Sequence, residues 1–99
     1  MNEITRKFKS KVIVRGDMSL FTKGNAISFI QACKENNIGI LGIDGFYLFG
    51  DKIQPSMDNS EDFSGYDYIS KTESIYTDAI NFLNDRDEQL VFEIVTDSK

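Results

Sequence analysis

Between Ile38 and Phe49 the chain is almost unbroken apolar, with a single carboxylate, Asp44, in its middle. A segment so poor in polar residues does not suit an edge strand. It fits a strand buried on both faces, of the kind that follows a helical crossover. Leaving even a neutral polar group unpaired in such surroundings costs about 2–7 kcal/mol, and an ionised one more. Asp44 therefore has three readings: a turn residue bonding its own backbone, a buried carboxylate held by amides or by Tyr47, or a group kept for a partner.

The rest of the pattern frames this strand. Phe8 to Arg15 alternates apolar and basic residues, predicting a half-exposed strand that Gly16-Asp17 ends, with a helix through Ile4, Phe8 and Val12 at spacing four as the competing reading. Thr22 stands where a helix N-cap is wanted. Ala26, Ile27, Phe29, Ile30 and Cys33 then share one helical face, and Asn37 and Gly39 can supply a left-handed C-terminal cap. Gly50-Asp51 turns the long strand into a short return, Lys52-Ile53-Gln54, stopped by Pro55, with a bulge allowed near Gly45. The alternative turn, Asp44-Gly45, would split the run in two.

Residues 55–69 read as an ordered loop pinned by Phe63, Tyr66, Tyr68 and Ile69. Ser70 and Glu73 have the spacing of a capping box for a second amphipathic helix through Ile75, Tyr76, Ala79, Ile80 and Leu83, and Leu90 to Val95 closes the chain as a strand. The order strand, helix, strand, strand, helix, strand predicts an α+β fold, two helices packed on one face of a mixed four-stranded sheet, with a split βαβ arrangement as one option. Residues 1–99 are expected to form a single compact domain.

Composition narrows the function. There is no histidine, which removes the commonest general base and metal ligand, and the lone Cys33 can form neither an internal disulfide nor a thiolate metal site alone. Binding without catalysis, cofactor or metal is the expectation. Neither an apolar stretch of membrane-spanning length nor a signal-peptide pattern is visible, so the chain reads as cytoplasmic, with no membrane partner.

The net charge of −5 is unevenly spread. Six Lys/Arg against two Asp/Glu give residues 1–24 a charge of +4, which leaves −9 for the remainder. Asp58, Glu61, Asp62, Asp67, Glu73 and Asp78 face only Lys71 over residues 56–78. These acids either solvate a loop and one helix side or form a surface that attracts cationic partners and repels nucleic acid. A calcium loop through Asp58, Ser60 and Asp62 fails, because Phe63 occupies the place of the turn glycine and Ile69 that of the bidentate glutamate.

The segment Gly39-Ile40-Leu41-Gly42-Ile43-Asp44-Gly45-Phe46-Tyr47, followed by Ile53-Gln54-Pro55-Ser56 and Asp62-Phe63-Ser64, resembles small bacterial immunity proteins of polymorphic-toxin systems over roughly residues 22–83. The resemblance implies a one-domain cytoplasmic protein that binds a cognate toxin and blocks it without catalysis. It does not explain the basic amino-terminal strand, and it does not carry over the toxin class.

On that reading Asp58, Glu61, Asp62 and Asp67 would steer a basic partner, such as a nuclease with a basic cleft. Tyr66 or Tyr68 would anchor it, and Asp44 and Tyr47 would touch it at the long strand. The alternatives are an adaptor of another pathway, a nucleic-acid binder using Lys7, Lys9, Lys11 and Arg15, and an enzyme in which Asp44 and Asp62 converge in a closed pocket.

Overall fold

The computed structural model describes residues 8–50, 52–63 and 73–96. Within them the fold is α+β: β1 (Ile13–Arg15), β2 (Met18–Thr22), α1 (Lys23–Glu35), β3 (Ile40–Phe49), β4 (Lys52–Asp62), α2 (Glu73–Asn84) and β5 (Val91–Thr96). The strands form one five-stranded sheet in the order β1-β2-β5-β3-β4, and every pairing between them is antiparallel. β2 and β3 both run antiparallel to β5, which lies between them. The unit β2-α1-β3 is therefore a split βαβ with β5 inserted.

Two expectations about the sheet are corrected. It is antiparallel with five strands, not mixed with four, because the amino-terminal region supplies a hairpin and not one strand. Lys9–Lys11 form a 3-10 turn, so among the described residues extended structure starts only at Ile13. Gly16 then adopts φ 60° at the first position of a two-residue loop, the place glycine favours in a type II′ hairpin, and Met18–Thr22 returns along β1. Nor does Pro55 stop the return strand after Gly50. β4 continues through it to Asp62, with Pro55 opposite Phe46. β4 is an edge strand, where a residue without an N–H group is tolerated.

The turn at Gly50, with φ 64°, lies where the sequence put it. α1 ends as its asparagines suggest: Asn37 takes φ 56°, the Ile38 amide donates to the Cys33 carbonyl at 2.9 Å and the Asn37 amide to Lys34 at 3.3 Å, the two bonds of a Schellman motif. At the other end Thr22 makes no side-chain cap bond. The capping box through Ser70 falls outside the described residues, as do Tyr66, Tyr68 and Ile69.

The sheet has an apolar cluster on each side. On the helix side Ala26, Phe29, Ile30 and Cys33 of α1 and Ile75, Tyr76, Ala79 and Leu83 of α2 meet Phe21, Ile43 and Phe92. The Tyr76 hydroxyl is satisfied by donating to the Ile38 carbonyl at 2.8 Å. Leu20, Phe46 and Val91 are buried on the other side, with Ile13, Met18, Leu48 and Ile53 packed around them. β3 serves both clusters, Ile43 one way and Phe46 the other, which is why its sequence is apolar nearly throughout. Among the described residues no helix is long and apolar enough to cross a membrane.

Candidate protein-binding surface

The edge of the sheet is reshaped where β4 passes β3. Ile43 pairs with Glu61 and Gly45 with Ser56, so two steps along β3 correspond to five along β4. The excess residues leave the ladder as an enlarged bulge, Met57 to Ser60. Three side-chain hydrogen bonds hold it. The Gly45 amide donates to Ser60 Oγ at 3.1 Å, Ser60 Oγ donates to the Ser56 carbonyl at 2.8 Å, and Asn59 Nδ2 donates to Ser56 Oγ at 2.9 Å. A Cβ at residue 45 would collide with the Asn59 carbonyl and approach its Cβ to 2.9 Å, so glycine there is what lets the bulge lie flat against β3.

Arg86 ties the bulge to the end of α2. Its Nη1 donates to the Asp58 carbonyl at 3.2 Å while its guanidinium lies 4.4 Å from the centre of the Phe82 ring. The neighbouring turn is held by Lys23, whose Nζ donates to the Asn84 and Arg86 carbonyls, both at 2.9 Å, at the negative end of the α2 dipole.

This clamped segment presents exposed Asp58 and Glu61, with Met57 84% exposed. Asp44, Glu61 and Asp62 border one open depression of about 440 Å³ together with Met57 and Val95. Asp44 stands in mid-strand, half-buried, so the turn reading of this residue is corrected. Three positions along a regular strand, Tyr47 points to the opposite side. It packs at the margin of the helix-side core, with its ring 6.3 Å from that of Phe49. Tyr47 is thus neither a partner for the Asp44 carboxylate nor a neighbour of the depression. Tyr66, Asp67 and Tyr68 lie outside the described residues.

Asp44 faces a residue that charge clustering along the sequence does not single out. Glu93 on β5 is its direct cross-strand partner. Burial, and then the Asp44 charge, raise the Glu93 carboxyl above its ordinary value. A signal was available: Glu93 is the one charge inside the apolar run Leu90–Val95, as Asp44 is inside Ile38–Phe49. Two lone acids in two buried strands invite the inference that they pair in register.

Asp44 and Asp62, the pair an enzymatic reading needs, share the depression, but it is open and not the closed pocket that reading requires. Among the described residues no group of three His, Cys, Asp or Glu is placed to hold a metal ion. What the arrangement offers is a rigid, negatively charged relief with an exposed methionine at its crest.

No protein-family model and no curated protein matches this chain.

Proposed function

We propose that this chain is a non-catalytic cytoplasmic immunity protein, which binds a cognate bacterial toxin and neutralises it through the acidic surface built on β3, β4 and β5. One observation supports this above the others: the Ser56–Ser60 segment is locked by hydrogen bonds to itself and to Gly45, so the backbone that carries Asp58, and Glu61 and Asp62 directly after it, is in place before any partner arrives. Ordering costs that a flexible loop would meet on binding are largely met on folding. Asp44, Asp58, Glu61 and Asp62 would draw in a basic surface such as a nuclease cleft, where steering raises association rates by roughly 10 to 10³-fold. Met57 would supply the adaptable apolar contact.

The test is co-expression with the protein encoded by the adjoining reading frame, with rescue of growth and co-purification as readouts. Rescue that is lost when Asp44, Glu61 and Asp62 are changed to Asn, Gln and Asn supports the reading. Absence of any complex refutes it. An adaptor of another pathway would use the same surface, and co-purification without toxicity of the partner would identify that case.

A further inference from the structure

β1 and β4 are the outermost strands of the sheet, and among the described residues no strand lies outside either. The two edges carry opposite charge. Residues 8–16 contain Lys9, Lys11 and Arg15 and no acid, whereas residues 56–64 contain Asp58, Glu61 and Asp62 and no base. Each edge also sets an exposed apolar side chain among its charges. Val14 of β1 is 60% exposed and lies between Lys11 and Arg15 in the chain, and Met57 of β4, 84% exposed, directly precedes Asp58.

The two edges cannot satisfy one another within one molecule. Three strands separate them, and four interstrand steps of about 4.8 Å put them roughly 19 Å apart. That exceeds the screening length of about 8 Å at physiological ionic strength, so the attraction of each edge is available to another molecule. An unpaired strand edge is moreover a template for adding a strand.

Charge decides which edges meet. β1 against a second β1 gathers bases from both copies, and β4 against a second β4 gathers acids, so a two-fold contact through either edge is disfavoured. The unlike pairing brings bases to acids and an exposed valine to an exposed methionine.

We propose that the basic edge of one copy docks beside the acidic edge of a second, with β1 lying along the Glu61–Asp62 end of β4, in a head-to-tail contact that can repeat. Glu61 and Asp62 are consecutive, in register with Ile43 and Gly42. Side chains of a strand alternate between faces, so each face carries one carboxylate and Arg15 meets one whichever way the added strand runs. β1 offers three residues and Pro55 has no N–H to share, so the ladder between copies is short and the contact depends on charge. The inference needs this chain alone and does not rest on the toxin-binding reading. Both would use Glu61 and Asp62, so a basic toxin would displace the second copy.

The experiment is sedimentation velocity on the full chain from about 10 µM to 1 mM, at low salt and at about 0.5 M, where the screening length falls to roughly 4 Å. The expected result is a mass that rises with concentration past the dimer at low salt, with association weakened at least about tenfold at high salt. Lys11→Glu with Arg15→Glu, and separately Asp58→Lys with Glu61→Lys, should each leave the chain monomeric. Mixing the two variants in equal amounts should restore association. Circular dichroism verifies folding, and Lys11→Glu alone, at an exposed position, should show weakened association if its double variant does not fold. A monomer at every concentration, a mass that stops at the dimer, association unaffected by salt, or a mixture of folded variants that stays monomeric overturns the proposal.

Discussion

Asp44 on β3 and Glu93 on β5 face each other in register, two carboxylates directly opposed across neighbouring interior strands of the sheet. Like charges so placed work against folding. On the proposed reading their charge belongs to the binding surface, and some stability is given up for an attractive field.

The consequence for stability has a definite sign. Burial and the Asp44 charge raise the Glu93 carboxyl above 4.5, so the folded chain holds that proton more tightly than the unfolded one. The stability this confers is complete below the unfolded value and is lost as pH rises through the folded value. Glu93→Gln should therefore raise the melting temperature near neutral pH, with the gain shrinking as the medium is acidified through about pH 4.5. Thermal melts across pH check this, and a gain independent of pH contradicts it.

Gly45 is expected to be intolerant. Gly45→Ala sets a methyl group against Asn59 and should cost about 1–3 kcal/mol in chemical denaturation. Gly24 is the internal comparison. It lies in the first turn of α1, where an added methyl group would meet nothing within 4 Å, and Gly24→Ala should stabilise by about 0.4–1 kcal/mol.

Ser60→Ala removes both the acceptor for the Gly45 amide and the donor to the Ser56 carbonyl. A loss of about 1–3 kcal/mol is expected, with faster hydrogen exchange at Gly45. Unchanged exchange there would show that the bulge is held by other means.

Lys23→Met deletes two hydrogen bonds to the carbonyls that end α2 and follow it. The expected cost is about 1–2 kcal/mol by urea unfolding, smaller at high salt because part of it is attraction to the helix dipole.

How far the sequence carried the fold depended on range. Both helices, the central strand, the Gly50 turn and the Asn37 cap follow from local rules, since periodicity and left-handed preferences are properties of a few consecutive residues. The β1–β2 hairpin was missed because Met18–Thr22 runs directly into α1, and a strand with no intervening loop reads as a helix approach. Pro55 misled for a different reason: it breaks a central strand but not an edge strand, and edge position is fixed by partners distant in sequence. At the site, Asp58, Glu61 and Asp62 were legible from charge clustering, and Asp44 as the lone carboxylate of an apolar run. Glu93 was not, because its role comes from a register between residues 49 positions apart, 44 and 93. Tyr47 was placed with Asp44 by closeness in sequence, whereas strand parity puts it on the other face.

On the proposed reading a prearranged acidic surface captures a basic partner without chemistry. The most direct measurement is the association rate of the purified chain with the protein encoded by the adjoining reading frame. It is followed from low to high salt for the native chain and for the chain carrying Asp44→Asn, Glu61→Gln and Asp62→Asn. The expected result is a steep fall in rate with salt for the native chain and a slower, nearly salt-independent association for the variant. Equal rates and equal salt dependence for the two would contradict it.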